Sequence, residues 1–380
     1  MQENLRETED MSAMQLTLCA PCLFGLEGLV SDEIKRLHIS DVKAQNGRVL
    51  FTGGFGDMVR ANLWLRTAER VLIQLGSFRA DSFETLFEGV KGLPWESFLP
   101  SDGAFPVKGY SLNSQLASIP SCQSIVKKAV VERLKRCYKT DWFSEDGARF
   151  RIQFALQNNI ATLYLDTSGD GLHKRGYRPR AGVAPLRETL AAAMVILSRY
   201  KGNGVFADPF CGSGTLPIEA ALIAKNRAPG LLRRFDADKW ACVPDRLWTD
   251  ARQAALEAEY RKSYELWGGD IDDSCVALAR ENAGRAGVGD CVRFERAEAR
   301  HFSPSEQTVT VTNPPYGERL DDVKSAERCY KALNVRNKLY LLSSHPAFEQ
   351  VFGRKADKKR KLYNGMILCY LYMYYSGSSQ

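Results

Sequence analysis

Asn313-Pro314-Pro315-Tyr316 places a side-chain amide, a proline-constrained backbone and an aromatic ring in consecutive positions. The Asn313 oxygen and the Pro314 carbonyl are both acceptors, and together they can hold the protons of a planar amine. An exocyclic amine on a purine is a poor nucleophile because its lone pair is delocalised into the ring. Two acceptors pulling on its protons can turn that lone pair toward an electrophile without a strong base. Pro315 has no N–H to donate and limits the flexibility of the turn. Tyr316 offers a stacking face to a base that has left its own stack. A plain proline-rich turn after a strand would read the same way, so the motif needs a companion.

That companion lies upstream, in Asp208-Pro209-Phe210-Cys211-Gly212-Ser213-Gly214. Gly212 and Gly214 allow a tight turn and let bare backbone lie against a ligand, and Ser213 or Thr215 can cap the helix that follows. There is no GxGxxG and no lysine of a phosphate-binding loop, so a nucleotide polyphosphate is disfavoured. Gly-Ser-Gly at a strand–helix junction is also simply a good turn. The next strand ends Gly268-Gly269-Asp270-Ile271-Asp272, where an acid suits ribose hydroxyls and Ile271 an adenine face. The strand after it runs into Glu298-Ala299, with Glu298 able to accept from an adenine amino group. Acceptors at successive strand ends describe an adenosyl ligand. With the amine-binding turn they predict an amino-group methyltransferase that uses S-adenosylmethionine and works mostly by positioning.

These residues need a scaffold. From Val205 onward strands and helices alternate, over 205–208, 214–226, 264–270, 274–286, 292–296 and 308–312, with a further helix at 251–262. That alternation predicts an α/β, Rossmann-like, doubly wound sheet of mainly parallel strands, whose ligands sit beyond the carboxyl ends of the strands. Ahead of it, strand 15–20, helix 25–37, a hairpin around Asn46-Gly47, helix 56–65 and strand 70–78 follow the order of a ferredoxin-like split unit. A helix at 82–90, a strand near 105–110, a basic helix at 123–138 and two strands meeting at Gln157-Asn158-Asn159 complete an α+β region. The expected division is 15–80, 81–167, a linker at 168–185 containing Ser168-Gly169-Asp170-Gly171, and 186–380.

At 380 residues, with 44% apolar and 26% charged, the chain has the size and composition of a globular protein of two or three domains. The net charge of +7 suits a polyanionic partner without requiring one. Ten scattered cysteines, a polar acidic Met1–Asp10 and no run of eighteen apolar residues predict free thiols in the cytoplasm and no membrane span. Cys19 and Cys22 have metal-like spacing, but no second close Cys/His pair completes a zinc set, and no metal is expected. His38, His173, His301 and His345 show no paired metal or triad spacing.

Charge placement says more than the total. The basic helix carries Lys127 and Lys128 beside an apolar stripe of Ile125, Val126, Val130 and Leu134. His173–Arg180 carries Lys174, Arg175, Arg178 and Arg180 around Tyr177, and 354–361 carries Lys358, Lys359, Arg360 and Lys361 before Tyr363. Basic residues interleaved with aromatics suit a surface that follows a nucleic-acid backbone, and they equally suit a solvated face.

The segment Asp208-Pro-Phe-Cys-Gly-Ser-Gly-Thr-Leu-Pro-Ile-Glu219 resembles the signature of bacterial RNA guanine-N2 methyltransferases. So do Leu172–Arg178, Asn313–Tyr316 with Gly317-Glu318-Arg319, and Lys359–Gly365. The resemblance runs from Gln15 to Tyr375. It implies a ferredoxin-like subdomain and a THUMP domain that bind RNA, ahead of a Rossmann-like methyltransferase domain. It further implies that residues 208–214, 270–272, 298 and 299 contact the cofactor, and that Asn313–Tyr316 hold N2 of a guanine, in large-subunit ribosomal RNA. A transfer-RNA guanine, or an RNA-binding assembly factor without catalysis, are the other readings. Adenine N6 in DNA or a glutamine amide would use the same turn but leave the N-terminal half unexplained. Two departures stand out: Glu298 replaces the aspartate such enzymes often carry, and 320–338 is short for the helix and loop expected there.

Overall fold

The computed structural model describes residues 14–178, 186–316, 320–333 and 337–375. The chain forms two compact units, one from residues up to 22, 30–172 and 234–253, the other from 23–29, 173–233 and 254 onward.

The first unit is built on a seven-stranded sheet. Its elements are β1 (Leu16–Pro21), α1 (Glu27–Arg36), β2 (Ser40–Gln45), β3 (Arg48–Gly53), α2 (Phe55–Trp64), β4 (Leu72–Arg79), α3 (Phe83–Lys91), β5 (Val107–Leu112), α4 (Ile119–Tyr138), β6 (Arg151–Gln157) and β7 (Ile160–Asp166). Strand order is β2-β3-β1-β4-β7-β6-β5, so the first four strands form the expected ferredoxin-like set. The division expected at 81 falls inside this sheet, because β4 pairs along its length with β7. Both predicted tight turns form. Gln45 faces Arg48 across Asn46-Gly47, and Asn158 and Asn159 take the positive φ (53° and 61°) that a two-residue hairpin loop needs. Helix α4 starts with Pro120 in its first turn and buries Cys122, Val126, Ala129, Val130 and Leu134 on one face.

The Ser168–Gly171 stretch is not a loose linker. Ser168 is fully buried; its hydroxyl donates to Asn62 Oδ1 and accepts from the Val71 amide, while Arg151 donates to the Gly169 carbonyl. Residues 179–185, including Arg180, lie outside the described residues.

The second unit carries the alternating pattern: α5 (Glu188–Leu197), β8 (Phe206–Asp208), α6 (Thr215–Ala224), then, after α7 (Asp245–Glu257), most of which belongs to the first unit, β9 (Leu266–Asp270), α8 (Asp273–Ala286), β10 (Val292–Arg296), β11 (Val309–Thr312), α9 (Leu320–Ala332), β12 (Lys338–Ser343), α10 (Phe348–Phe352), β13 (Lys358–Asn364) and β14 (Ile367–Tyr374). Strand order is β10-β9-β8-β11-β12-β14-β13, parallel from β10 to β12 and closed by an antiparallel hairpin. Helix α6 is buried on almost all sides, which is why its sequence is so uniformly apolar. The helix expected at 251–262 begins earlier, immediately after Pro244, a residue suited to starting a helix. The segment judged short holds a thirteen-residue helix, α9.

Candidate active site

The strand order reverses between β8 and β11, and a doubly wound sheet opens a crevice at that point. A cavity of about 890 Å³ occupies it. Strand ends supply its wall: Pro209 and Phe210 after β8, Asp270 and Ile271 after β9, Ala297–Arg300 after β10, and Asn313–Tyr316 after β11. Arg328 and Cys329 of α9, together with Asn364, Gly365 and Ile367 of the β13–β14 turn, close the other side.

The glycine-rich turn is shaped from within. Gly212 and Gly214 have φ of +50° and +83°. A Cβ on Gly214 would lie 3.0 Å from both Ala279 Cβ and Phe294 Cζ, so this position needs glycine twice over. Gly214 is itself the N-cap of α6, so neither Ser213 nor Thr215 caps the helix as expected. Thr215 instead accepts from Arg178 through its hydroxyl.

Asp208 was expected to touch the cofactor, and here the structure corrects the sequence. The residue is buried beneath the turn and absent from the cavity wall. Its Oδ1 accepts from the Thr312 hydroxyl at 2.6 Å and from the Phe210 amide at 3.1 Å, tying the end of β8 to the end of β11. Burial pushes its carboxyl up to about 7, against the pull of those two donors and with help from the charge of Asp270. Cys211 and Gly214 are likewise buried, and Asp272 spends its carboxylate on capping α8 through the Ser274 amide and hydroxyl.

Asp270 does face the cavity. Its two oxygens accept from the amides of Gly212 (2.9 Å) and Asp272 (3.0 Å), which fixes the carboxylate in place. A carboxylate offers about four acceptor sites, so it retains capacity for a pair of ribose hydroxyls. Ile271 is 62% exposed, an apolar face in the wall. Glu298, half-buried, is paired with Arg300, and both line the cavity with Ala299. This set fits an adenosyl group: a glycine turn of positive φ, a fixed acid, an apolar face and a third strand-end acid.

On the opposite side, the Asn313 side-chain oxygen accepts from the Tyr316 hydroxyl, and Asn364 Nδ2 donates to that hydroxyl from β13 at 3.4 Å. Burial holds the Tyr316 phenol well above its ordinary range, so it acts as a neutral donor. Tyr330 of α9 donates to the Pro315 carbonyl at 2.8 Å. The turn is thus braced from within and from two other elements, β13 and α9. An amide oxygen has a second lone pair, so Asn313 can still accept a substrate proton. Residues 317–319, part of the expected motif, lie outside the described residues.

The basic residues divide sharply. Arg175 is 2% exposed and pairs with Glu219, which is fully buried on α6 and also accepts from Tyr177. Arg178 pairs with the nearly buried Glu188 at 2.6 Å. These two arginines neutralise acids that the core cannot leave unpaired, so the expectation that they contact RNA is overturned. Lys127 is held by Glu145, by the Phe105 carbonyl at 3.2 Å and over the Phe105 ring at 3.6 Å, whereas Lys128 is exposed. Lys174 is exposed. Lys358–Lys361 form an edge strand, in which Lys359 pairs with Glu349, Arg360 donates to the Gly25 carbonyl, and Lys358 and Lys361 face solvent. Arg187, Arg328 and the β13–β14 turn were missed as parts of the wall. The Asn364-Gly365 pair was the available signal, since it is as strong a hairpin cue as Asn46-Gly47.

Among the described residues no three His, Cys, Asp or Glu side chains group as a metal site, and no helix is long and apolar enough to cross a membrane.

A mainly parallel sheet opened at its switch point over a cavity whose strand-end residues fit an adenosyl group places the chain in the S-adenosylmethionine-dependent methyltransferase class. Comparison with known proteins agrees: residues 175–373 match the RMKL-like methyltransferase domain family UPF0020, 17–72 the RlmL ferredoxin-like domain and 80–166 the THUMP domain. The chain belongs to the RMKL-like methyltransferase family. It is 45% identical over 373 residues to the candidate RNA methyltransferase YpsC of Bacillus subtilis strain 168, covering 95% of this chain and 96% of that one. It is 34% identical to the ribosomal RNA large subunit methyltransferase K/L of Psychromonas ingrahamii, covering 94% of this chain but 50% of that protein's length. The chain therefore spans about half of such K/L relatives. Among solved structures, the candidate methyltransferase SMU.472, complexed with S-adenosylhomocysteine, superposes with TM-score 0.90 at 40% identity, covering 96% of this chain and 99% of that one. A Listeria monocytogenes protein described as a predicted N6-adenine-specific DNA methylase gives 0.92 at 43%, covering 97% and 98%.

Proposed function

We propose that this methyltransferase modifies the exocyclic N2 amine of a guanine in RNA, in the cytoplasm, and that the RNA is the large-subunit ribosomal RNA. The observation that carries the reading is the braced Asn313–Tyr316 turn across the cavity from Asp270 and Glu298. When bound, S-adenosylmethionine supplies an electrophilic methyl group. The chain's own residues do the rest. Asp270, Ile271 and Glu298 hold the adenosyl moiety. Asn313 Oδ1 and the Pro314 carbonyl accept the amine protons and direct the nitrogen lone pair into the cavity. Tyr316, kept neutral and hydrogen-bonded, orients Asn313 and lines the cavity. The amine's displaced proton leaves to solvent once the nitrogen carries the methyl group, so no strong base is needed there.

RNA is favoured over other acceptors by the THUMP match over 80–166 and by the names of the YpsC and K/L relatives. Exposed Lys128 and Lys174, with the Lys358 and Lys361 edge, offer phosphate-binding charge. The Listeria neighbour's name favours an adenine in DNA, which the same turn would accept. The two readings separate on product. Ribosomal RNA, transfer RNA and DNA from a strain lacking the protein are incubated with it and labelled S-adenosylmethionine, then digested to nucleosides for mass spectrometry. N2-methylguanosine from large-subunit RNA supports the reading; label only in N6-methyldeoxyadenosine from DNA, or only in transfer RNA, replaces it.

A further inference from the structure

The β13–β14 turn has a composition that the methyl-transfer reading leaves unused. Asn364 faces Ile367 in the ladder, so Gly365 and Met366 form a two-residue loop, with φ of +63° at Gly365. Mirror-type hairpin turns need that positive φ at the first loop position, and Met366 is the second loop residue. Met366 is 97% exposed. Ile367, Leu368 and Tyr370 beside it are also exposed, so one hairpin end presents a run of apolar side chains to water.

Three observations give that end an occupant. It adjoins the active site, because Asn364, Gly365 and Ile367 are cavity wall. It is tied to the amine-binding turn through the Asn364–Tyr316 hydrogen bond. Its partner strand is the basic edge, with exposed Lys358 and Lys361 on the same hairpin. An apolar tip carried on a cationic hairpin, at the mouth of the cavity that holds the amine-binding turn, complements a stacked polyanion whose base must come out. Proteins that unstack nucleic acid insert unbranched or bulky apolar side chains at the vacated step, and an enzyme acting on a base amine must extrude that base.

We propose that the β13–β14 turn is a wedge: Met366 enters the RNA stack at the place vacated by the extruded guanine, and Ile367 packs against the extruded base at the cavity mouth. The flexible thioether of Met366 fills a gap of irregular shape, as methionine does in protein cores. Lys361, the nearer of the two exposed lysines to the turn, holds a phosphate beside that step, and Lys358, at the far end of β13, meets the RNA backbone further along. This inference rests on the RNA reading above and adds the device that opens the helix.

The test compares Met366→Ala and Met366→Leu with the unmodified enzyme on large-subunit RNA from a strain lacking the protein. Each is assayed on the RNA as isolated, and on the RNA with a DNA strand annealed to the segment that pairs with the target, which leaves the target guanine unpaired. A wedge lowers the ratio of the first rate to the second by roughly tenfold in Met366→Ala, and Met366→Leu restores it. Photo-methionine at 366 then crosslinks to nucleotides adjoining the methylated guanine. A ratio unchanged in Met366→Ala, with crosslinks distant from the target, overturns the wedge while methylation by the unmodified enzyme leaves the RNA reading standing. Altered oligomeric state in Met366→Ala without a changed ratio assigns the tip to a protein contact and also overturns it. No methylation of any RNA by the unmodified enzyme removes the reading and the wedge together.

Discussion

Replacing Asp208 with Asn tests whether the carboxyl beneath the cofactor turn is a structural tie held near neutrality. The folded carboxyl sits at about 7 against an ordinary 3.8, chiefly through burial. A rise of about three units corresponds to about 4 kcal/mol between the protonated and ionised forms. The folded value is raised, so its contribution to stability is complete below the unfolded pKa and is lost as pH rises through 7. Asn keeps an oxygen for the two donors, the Thr312 hydroxyl and the Phe210 amide, and has nothing to ionise. Urea denaturation of both proteins without cofactor, at pH values from about 5 to about 9, should show the variant gaining on the parent by about 2–3 kcal/mol across that window. Methylation at neutral pH should persist, since Asp208 is not in the cavity wall. A stability difference that stays flat with pH would refute the buried, raised carboxyl. Loss of cofactor binding in Asp208→Asn would return the residue to the cofactor-contacting role that its sequence position suggested.

Four further outcomes are expected. Asn313→Ala should abolish methylation, at least a hundredfold in kcat, with cofactor Kd by calorimetry nearly unchanged; a weakened cofactor would contradict its placement on the substrate side. Asp270→Ala should raise the cofactor Kd by about tenfold or more through lost charge-assisted hydrogen bonds, and unchanged affinity would remove it from the ribose role. Arg175→Ala should cost about 3–5 kcal/mol in urea denaturation, because Glu219 is left buried and unpaired; a fall in RNA affinity with intact stability would restore Arg175 to the RNA surface. Lys128→Glu should weaken binding to large-subunit RNA and reduce the salt slope by about one, whereas Lys127→Glu, already pinned by Glu145 and Phe105, should also lower the stability of the first unit.

Much of the fold could be read from the sequence because its local signals agree with its tertiary ones. The ferredoxin-like strands, both hairpin turns and the alternation from β8 to β11 lie where apolar period and turn chemistry place them. The last third was harder. Lys358–Asn364 has too many charges to resemble a strand by alternation, yet as a sheet edge it needs only one ladder, and lysines guard such edges. Site positions were legible to the level of the strand end and no further. The sequence places Asp208 and Asp270 alike at strand ends, but only packing decides that one carboxylate turns down to Thr312 and the other up to the cavity. Likewise a run such as His173–Arg178 reads as a basic surface until the buried Glu219 and Glu188, distant in sequence, claim its arginines. Polarity and period carry no information about such long-range charge pairing.

The central claim is that Asn313 and its braced turn direct a guanine amine in RNA toward a methyl donor. Mass spectrometry of nucleosides tests it most directly, on large-subunit RNA from a strain lacking the protein, after incubation with labelled S-adenosylmethionine and either the unmodified enzyme or Asn313→Ala. Labelled N2-methylguanosine with the former and none with the latter is the result predicted. Label in another nucleoside, or N2-methylguanosine undiminished in Asn313→Ala, would contradict it.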